Sequence, residues 1–150
     1  MSTMNSINEF VSLKNLAIVG VSRNQKKFGN SLYRSLKQKG YNVFPVNNSA
    51  EQVGGDKCYP DLKSIPGKVD GAVIVVPPDI AKIAVKEAAQ LGIKNIWMQQ
   101  GSESKEAVTF CEENNINVIE GECLLMFTPQ AEFFHRFHKG INKVFGKLPK

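Results

Sequence analysis

Cysteine is scarce and unpatterned in this chain. Cys58, Cys111 and Cys123 are an odd number without CxxC spacing, which argues against a disulfide framework and against a zinc site. No apolar run approaches the roughly 20 residues that span a bilayer. The segment from Met1 to Glu9 is polar and lacks a basic stretch followed by an apolar one, so no secretory signal is expected and a reducing cytoplasm fits best. There is no internal repeat, no low-complexity linker and no GxxxxGK[ST] phosphate loop. Histidine occurs twice, at His135 and His138; without a third partner these make no metal site, and a surface or helix-packing role is expected for both.

What is present is an ordinary globular balance of 42% hydrophobic and 22% charged residues over 150 positions. That length suits a single domain, with a core at about 14–126 and a last helix at about 129–145; such a chain buries roughly 70% of its unfolded surface. Basic residues outnumber acidic ones by 19 to 14, a weak preference for anionic partners. No strand interleaves aromatic with basic residues, so a nucleic-acid partner is not expected.

Strand and helix patterns alternate. Leu16 to Val19, Tyr41 to Val46, Gly71 to Val76, Ile93 to Met98 and Asn117 to Ile119 read as buried strands. Between them, helices are expected from near Phe28 to Lys39 with Gly40 as stop, from Asp79 as cap to Leu91 with Gly92 behind it, and from Ser102 or Ser104 to about Asn114. A short turn or helix fits Asp61 to Ile65, and an amphipathic helix carrying Phe133, Phe134 and Phe137 fits Pro129 to Phe145. The alternation predicts an α/β fold with three layers, Rossmann-like, around a mainly parallel five-stranded sheet. Ligands of such sheets bind beyond the carboxyl ends of the strands. Those ends carry Gly20-Val21-Ser22, Pro45-Val46-Asn47, Val76-Pro77, Gln99-Gln100-Gly101 and Gly121 to Cys123.

The first of these ends is the expected phosphate loop. The helix behind it begins near Phe28-Gly29-Asn30, where free amides and the helix dipole favour an anion. Ser22 adds a hydroxyl, and Arg23, Lys26 and Lys27 add positive charge in the same loop. GxGxxG is absent, because Ser22 and Gln25 stand where glycines belong. The second strand ends in Pro45-Val46-Asn47-Asn48, with no acid for the ribose hydroxyl of NAD. A basic loop without that acid suits a ribose bearing an extra phosphate, which both NADP and coenzyme A carry.

Ala17 to Asn24, Lys27 to Asn30 and Gly40 to Asn47 together resemble the small stand-alone CoA-binding domain family. That family is similar to the N-terminal domain of the succinyl-CoA synthetase alpha subunit. The resemblance continues through Val75 to Pro78 and Ile96 to Gly101, and reaches Cys123. It implies that CoA or acyl-CoA lays its phosphates on Gly20 to Ser22 and the helix start, with Pro45-Val46 and Val76-Pro77 flanking adenine and ribose. The synthetases add a domain with a phosphorylated histidine and an ATP-grasp partner, and these 150 residues hold neither. No catalytic set stands out. The expected function is therefore a non-catalytic CoA binder, sensor or accessory protein acting on a small nucleotide ligand, with an NADP-dependent oxidoreductase or epimerase as the alternative. A side chain at Gly20 is expected to fill the space a phosphate needs while leaving the fold intact. Cys123 is either a reactive thiol in the crevice, able to pair with the thiol of CoA, or a small buried hydrophobe. Trp97 is expected in the core.

Overall fold

The computed structural model describes residues 3–24 and 26–128. Five parallel strands form the main sheet: β1 Asn15–Val19, β2 Asn42–Val46, β5 Gly71–Ile74, β6 Asn95–Gln99 and β7 Asn117–Glu122, in spatial order β2-β1-β5-β6-β7. A two-stranded hairpin, β3 Gln52–Val53 and β4 Asp56–Lys57, lies outside it. The helices are α1 Met4–Val11, α2 Phe28–Gln38, α3 Pro78–Gln90 and α4 Lys105–Glu113. This is the predicted three-layer, Rossmann-like α/β arrangement.

The strands are apolar almost throughout because both faces are covered. On one face Ala17, Ala72, Ile74, Ile96, Met98 and Val118 pack with α3 and α4. On the other, Leu16, Ile18, Val73, Trp97 and Ile119 pack with α1, α2 and the segment holding Leu124 and Phe127. Trp97 is fully buried, as expected, and its indole N–H donates to the Glu122 carbonyl at 3.0 Å.

Asparagines mark the opposite, N-terminal ends of the strands. Asn42 Nδ2 donates to Asn15 Oδ1 at 3.0 Å, the Asn15 amide donates to Asp70 Oδ2 at 3.0 Å, and Asn117 Nδ2 donates to Asn95 Oδ1 at 3.1 Å. These pairs sit on matched register positions, Asn15 opposite Asn42 and Asn95 opposite Asn117.

Several local expectations change. Pro77, not Asp79, is the N-cap of α3; Pro78 takes the first turn, where a missing N–H costs nothing, and Asp79 stands in that turn without capping. Ser104, not Ser102, caps α4, its hydroxyl accepting the Ala107 amide at 3.2 Å. Ladder pairing of β5 stops at Ile74, and β6 starts at Asn95, since the Ile93 amide closes the end of α3 on the Ala88 carbonyl. β7 runs on to Glu122 because an irregularity at Met98/Gln99 lets Gln99 pair with Glu122. Helix α1 was not anticipated; Thr3 caps it and it buries Ile7 and Phe10, with Phe10 edge-on to Trp97 at 5.4 Å. The helix expected at 129–145, with His135 and His138, lies outside the described residues.

Candidate ligand-binding site

Counting only the main-sheet strands, the order is 2-1-3-4-5, and the chain leaves in opposite directions on either side of the β1/β5 pair. That switch point is where open α/β sheets hold ligands. Here the loops after β1 and β5 are in contact. Gly20 has φ +128°, a conformation L side chains rarely adopt, and a Cβ there would lie 2.2 Å from the Val75 carbonyl oxygen. A Cβ on Gly29 would lie 2.3 Å from the Gly20 carbonyl oxygen, so the first turn of α2 rests directly on the loop. Both glycines are demanded by backbone approaching backbone. This corrects the expectation for Gly20: a side chain collides with Val75 before it fills any ligand space, and the fold is disturbed with the site.

The loop is tied down from two sides. Asn30 on α2 accepts the Ser22 amide on Oδ1 and donates from Nδ2 to the Ser22 carbonyl, both at 2.7 Å. Asn47, just past β2, donates from Nδ2 to the Val21 carbonyl at 2.7 Å. Ser22 Oγ accepts the Asn24 amide at 3.0 Å, and Asn24 Oδ1 accepts the Lys26 amide at 3.0 Å. Lys27 is the N-cap of α2; no side chain caps this helix and no acid stands in its first turn. Its positive end is thus not compensated by a side chain of its own cap or first turn.

A cleft of about 680 Å³ opens over this loop. Gly20, Val21, Ser22, Lys27, Phe28 and Gly29 form one side, Val46 and Asn47 another, and Val76 and Pro77 a third. The wall continues down α3 through Ile80, Ile83 and Glu87, facing Pro60 and Asp61. Phe28, Ile80 and Ile83 are 47%, 50% and 69% exposed, an apolar margin beside Lys27 and the start of α2. Asp61 Oδ1 is occupied by the Ser64 amide at 3.0 Å. A second groove, about 600 Å³ between α3 and α4, is lined by Lys82, Lys86, Lys105 and Phe110. Its lining comes from those two helices and includes no strand-end residue, and Glu106 already pairs with Lys82 at 3.5 Å.

The model of the family described as the CoA binding domain matches residues 14–129. The chain belongs to the CoA-binding domain family. It is 32% identical over 133 residues to the alpha subunit of an ADP-forming acetate–CoA ligase II of Pyrococcus furiosus, covering 81% of this chain and 29% of that subunit. The chain thus spans less than a third of the ligase subunit it matches. Two solved structures are of similar size to it. A conserved hypothetical protein from Pyrococcus furiosus superposes with TM-score 0.74 at 37% identity, covering 77% of this chain and 100% of the other. A hypothetical protein from Pyrococcus horikoshii OT3 gives TM-score 0.78 at 29% identity, covering 90% and 92%.

Within this CoA-binding domain, seven residues singled out from sequence do not line the cleft. Arg23 and Lys26 are exposed on the loop, and Asn30 is wholly buried beneath it. Pro45 is buried in β2, its carbonyl accepting the Tyr59 amide at 2.9 Å. Gln99 is buried at the end of β6, its Oε1 accepting the Leu124 amide at 3.1 Å, and the Gly101 amide donates to Glu103 Oε1 at 2.8 Å. Cys123 is half-buried after β7, at the far edge of the sheet from the cleft. Its electrostatic neighbour is Lys39, whose pKa burial lowers while Cys123 acts in the opposite sense; the Lys39 ammonium donates to Thr128 Oγ1 at 2.8 Å.

Sequence reasoning missed the lower half of the cleft. Ile80, Ile83, Ala84 and Glu87 recur at helical spacing on α3, a signal available in the sequence. Pro60 and Asp61 reach the cleft through the β3–β4 hairpin, whose turn residues Gly54 and Gly55 have φ +58° and +86°. Two positive φ values in a two-residue turn suit a type I′ hairpin, and Gly-Gly is one of its sequence signatures.

Proposed function

We propose that this chain binds coenzyme A or acyl-CoA in the switch-point cleft, as a non-catalytic binder, sensor or accessory domain. The carrying observation is the uncapped, acid-free N-terminus of α2, resting on Gly20 and flanked by Lys27, inside a cleft whose other walls carry the apolar Val46, Val76, Pro77, Ile80 and Ile83. Phosphates match the cationic end: the α2 amides, the Ser22 hydroxyl and Lys27 hold them, with Arg23 and Lys26 neutralising charge from the loop. Adenine and ribose match the apolar sides at Val46, Val76, Pro77 and Ile80. Asn47 and Asn48 stand where an NAD site would place its acid, which favours a phosphorylated ribose. The cysteines Cys58, Cys111 and Cys123 are all free, which supports a reducing, cytoplasmic setting. Among the described residues no helix is long and apolar enough to cross a membrane.

Native mass spectrometry of freshly purified protein tests the ligand, with a co-purified mass equal to CoA or an acyl-CoA as the expected result. Calorimetry then compares CoA with NADPH. Saturable CoA binding without turnover is expected; tight NADPH binding beside no CoA affinity would overturn the proposal.

A further inference from the structure

We infer that Asn30 and Asn47 are positioning residues that hold the Val21–Ser22 turn in its ligand-ready shape before any ligand arrives, Asn30 from beneath the cleft and Asn47 from its wall. The inference rests on the reading of the cleft as a CoA site. Asn30 is 0% exposed, and both ends of its amide are spent on the backbone of one residue, Ser22, at 2.7 Å each. Such a two-point contact imitates a rung of a β-ladder and fixes the Ser22 peptide on both sides. Asn47 is itself held in place. Its Oδ1 accepts the Ser49 and Ala50 amides at 2.7 and 2.9 Å, its own amide donates to the Tyr59 carbonyl at 2.9 Å, and its Nδ2 is thereby aimed at the Val21 carbonyl.

Two consequences follow for anion binding. The carbonyl oxygens of Val21 and Ser22 carry partial negative charge; both are taken up by asparagine N–H groups and do not oppose a phosphate. The Ser22 amide is also spent, so it is not a phosphate donor. The donors that remain are the Ser22 hydroxyl, whose oxygen accepts from Asn24 and whose proton is free to donate, the first turn of α2, and Lys27. A turn already fixed avoids the ordering cost that a loose loop incurs on binding.

The test uses Asn30→Ala and Asn47→Ser, with calorimetry on CoA and on inorganic pyrophosphate. Serine at 47 keeps an acceptor for the Ser49 and Ala50 amides but is too short to reach Val21. Asn47→Ser, which loses one hydrogen bond to the turn, is expected to weaken CoA by about five- to ten-fold, and Asn30→Ala, which loses two, by at least as much. Pyrophosphate, which engages the turn without the rest of CoA, is expected to weaken by a similar factor. Amide hydrogen exchange by NMR supplies a readout of the ligand-free state: Ser22 is protected in the parent and loses protection in Asn30→Ala. Variants that melt earlier yet keep both affinities within two-fold would show a merely structural role and overturn the inference. An unprotected Ser22 amide in the ligand-free parent would overturn it too. If the parent binds pyrophosphate through a protected turn but does not bind CoA, the ligand assignment fails while the positioning role stands.

Discussion

Gly29→Ala is the smallest change that separates α2 from the loop it rests on. The added methyl group would sit 2.3 Å from the Gly20 carbonyl oxygen, 2.9 Å from the Gly20 carbonyl carbon and 3.3 Å from the Val21 nitrogen. All three are backbone atoms, so no side chain can swing aside. Gly20 cannot yield either, because its other face is pressed against Val75. Overpacking of this kind costs about 1–3 kcal/mol, and contact with backbone alone argues for the upper end. Alanine in place of glycine in a helix recovers up to about 1 kcal/mol. The net loss is then about 2 kcal/mol, or roughly 4–8 °C in Tm for a chain of this size. Because the helix must withdraw its first amides from the cleft, CoA affinity should fall by about ten-fold, or ~1.4 kcal/mol. Differential scanning calorimetry and titration calorimetry read the two effects. Gly55→Ala is the control: its φ of +86° makes alanine strained there, but nothing lies within 4 Å, so stability should drop while CoA affinity holds. A Gly29→Ala protein that melts at or above the parent temperature and binds CoA unchanged would refute the close approach of α2.

Three further outcomes are expected. Phe10→Ala removes a fully buried ring packed on Trp97 and should cost about 3–5 kcal/mol by urea unfolding, with a red shift of tryptophan emission; a loss under about 1 kcal/mol would mean that α1 is not docked. Lys27→Ala should weaken CoA by about three- to ten-fold and flatten the salt dependence of binding, and an unchanged salt slope would remove Lys27 from the site. Burial pushes Cys111 from its ordinary 9.0 up to about 12, and Tyr41, whose hydroxyl donates to the Val11 carbonyl, from 10.0 to about 12. The folded chain therefore keeps these protons after the unfolded chain has lost them. Their contribution is complete below about pH 9 and is lost as pH rises towards 12, by at most about 1.4 kcal/mol per pH unit for each group. Cys111→Ala should flatten that alkaline limb in urea titrations between pH 8 and 11; an identical limb would refute the assignment.

The layers of the fold were legible because each strand is a short apolar run buried on both faces, and Leu16 to Val19 or Gly71 to Ile74 can hardly be anything else. Helix α1 was not, since eight residues with two buried side chains carry too few turns for a periodic signal. The loop after β1, proposed to hold phosphate, stood out in the sequence as glycine followed by serine and basic residues. The partners that shape it did not. Asn30 was expected at the helix start as a ligand-holding residue, whereas its bonds to Ser22 depend on α2 folding back against β1. The same limit applies to Gln99, Gly101 and Cys123. Each stands at or just past the C-terminal end of a strand, but distance across the sheet from β1 and β5 decides which of them reach the switch-point cleft, and strand order is not written in local pattern.

The asparagine row at the N-terminal ends of the strands has a consequence for how freely this scaffold can change. In a parallel sheet a slip of one residue would send every inward side chain to the wrong helical layer. Asn15 with Asn42, and Asn95 with Asn117, oppose such a slip at the edge remote from the cleft. The loops at the other edge are thereby relieved of keeping the strands aligned. Register is thus held at one edge and the ligand-facing loops at the other, so a substitution in those loops away from Gly20 and Gly29 need not shift the strands beneath them.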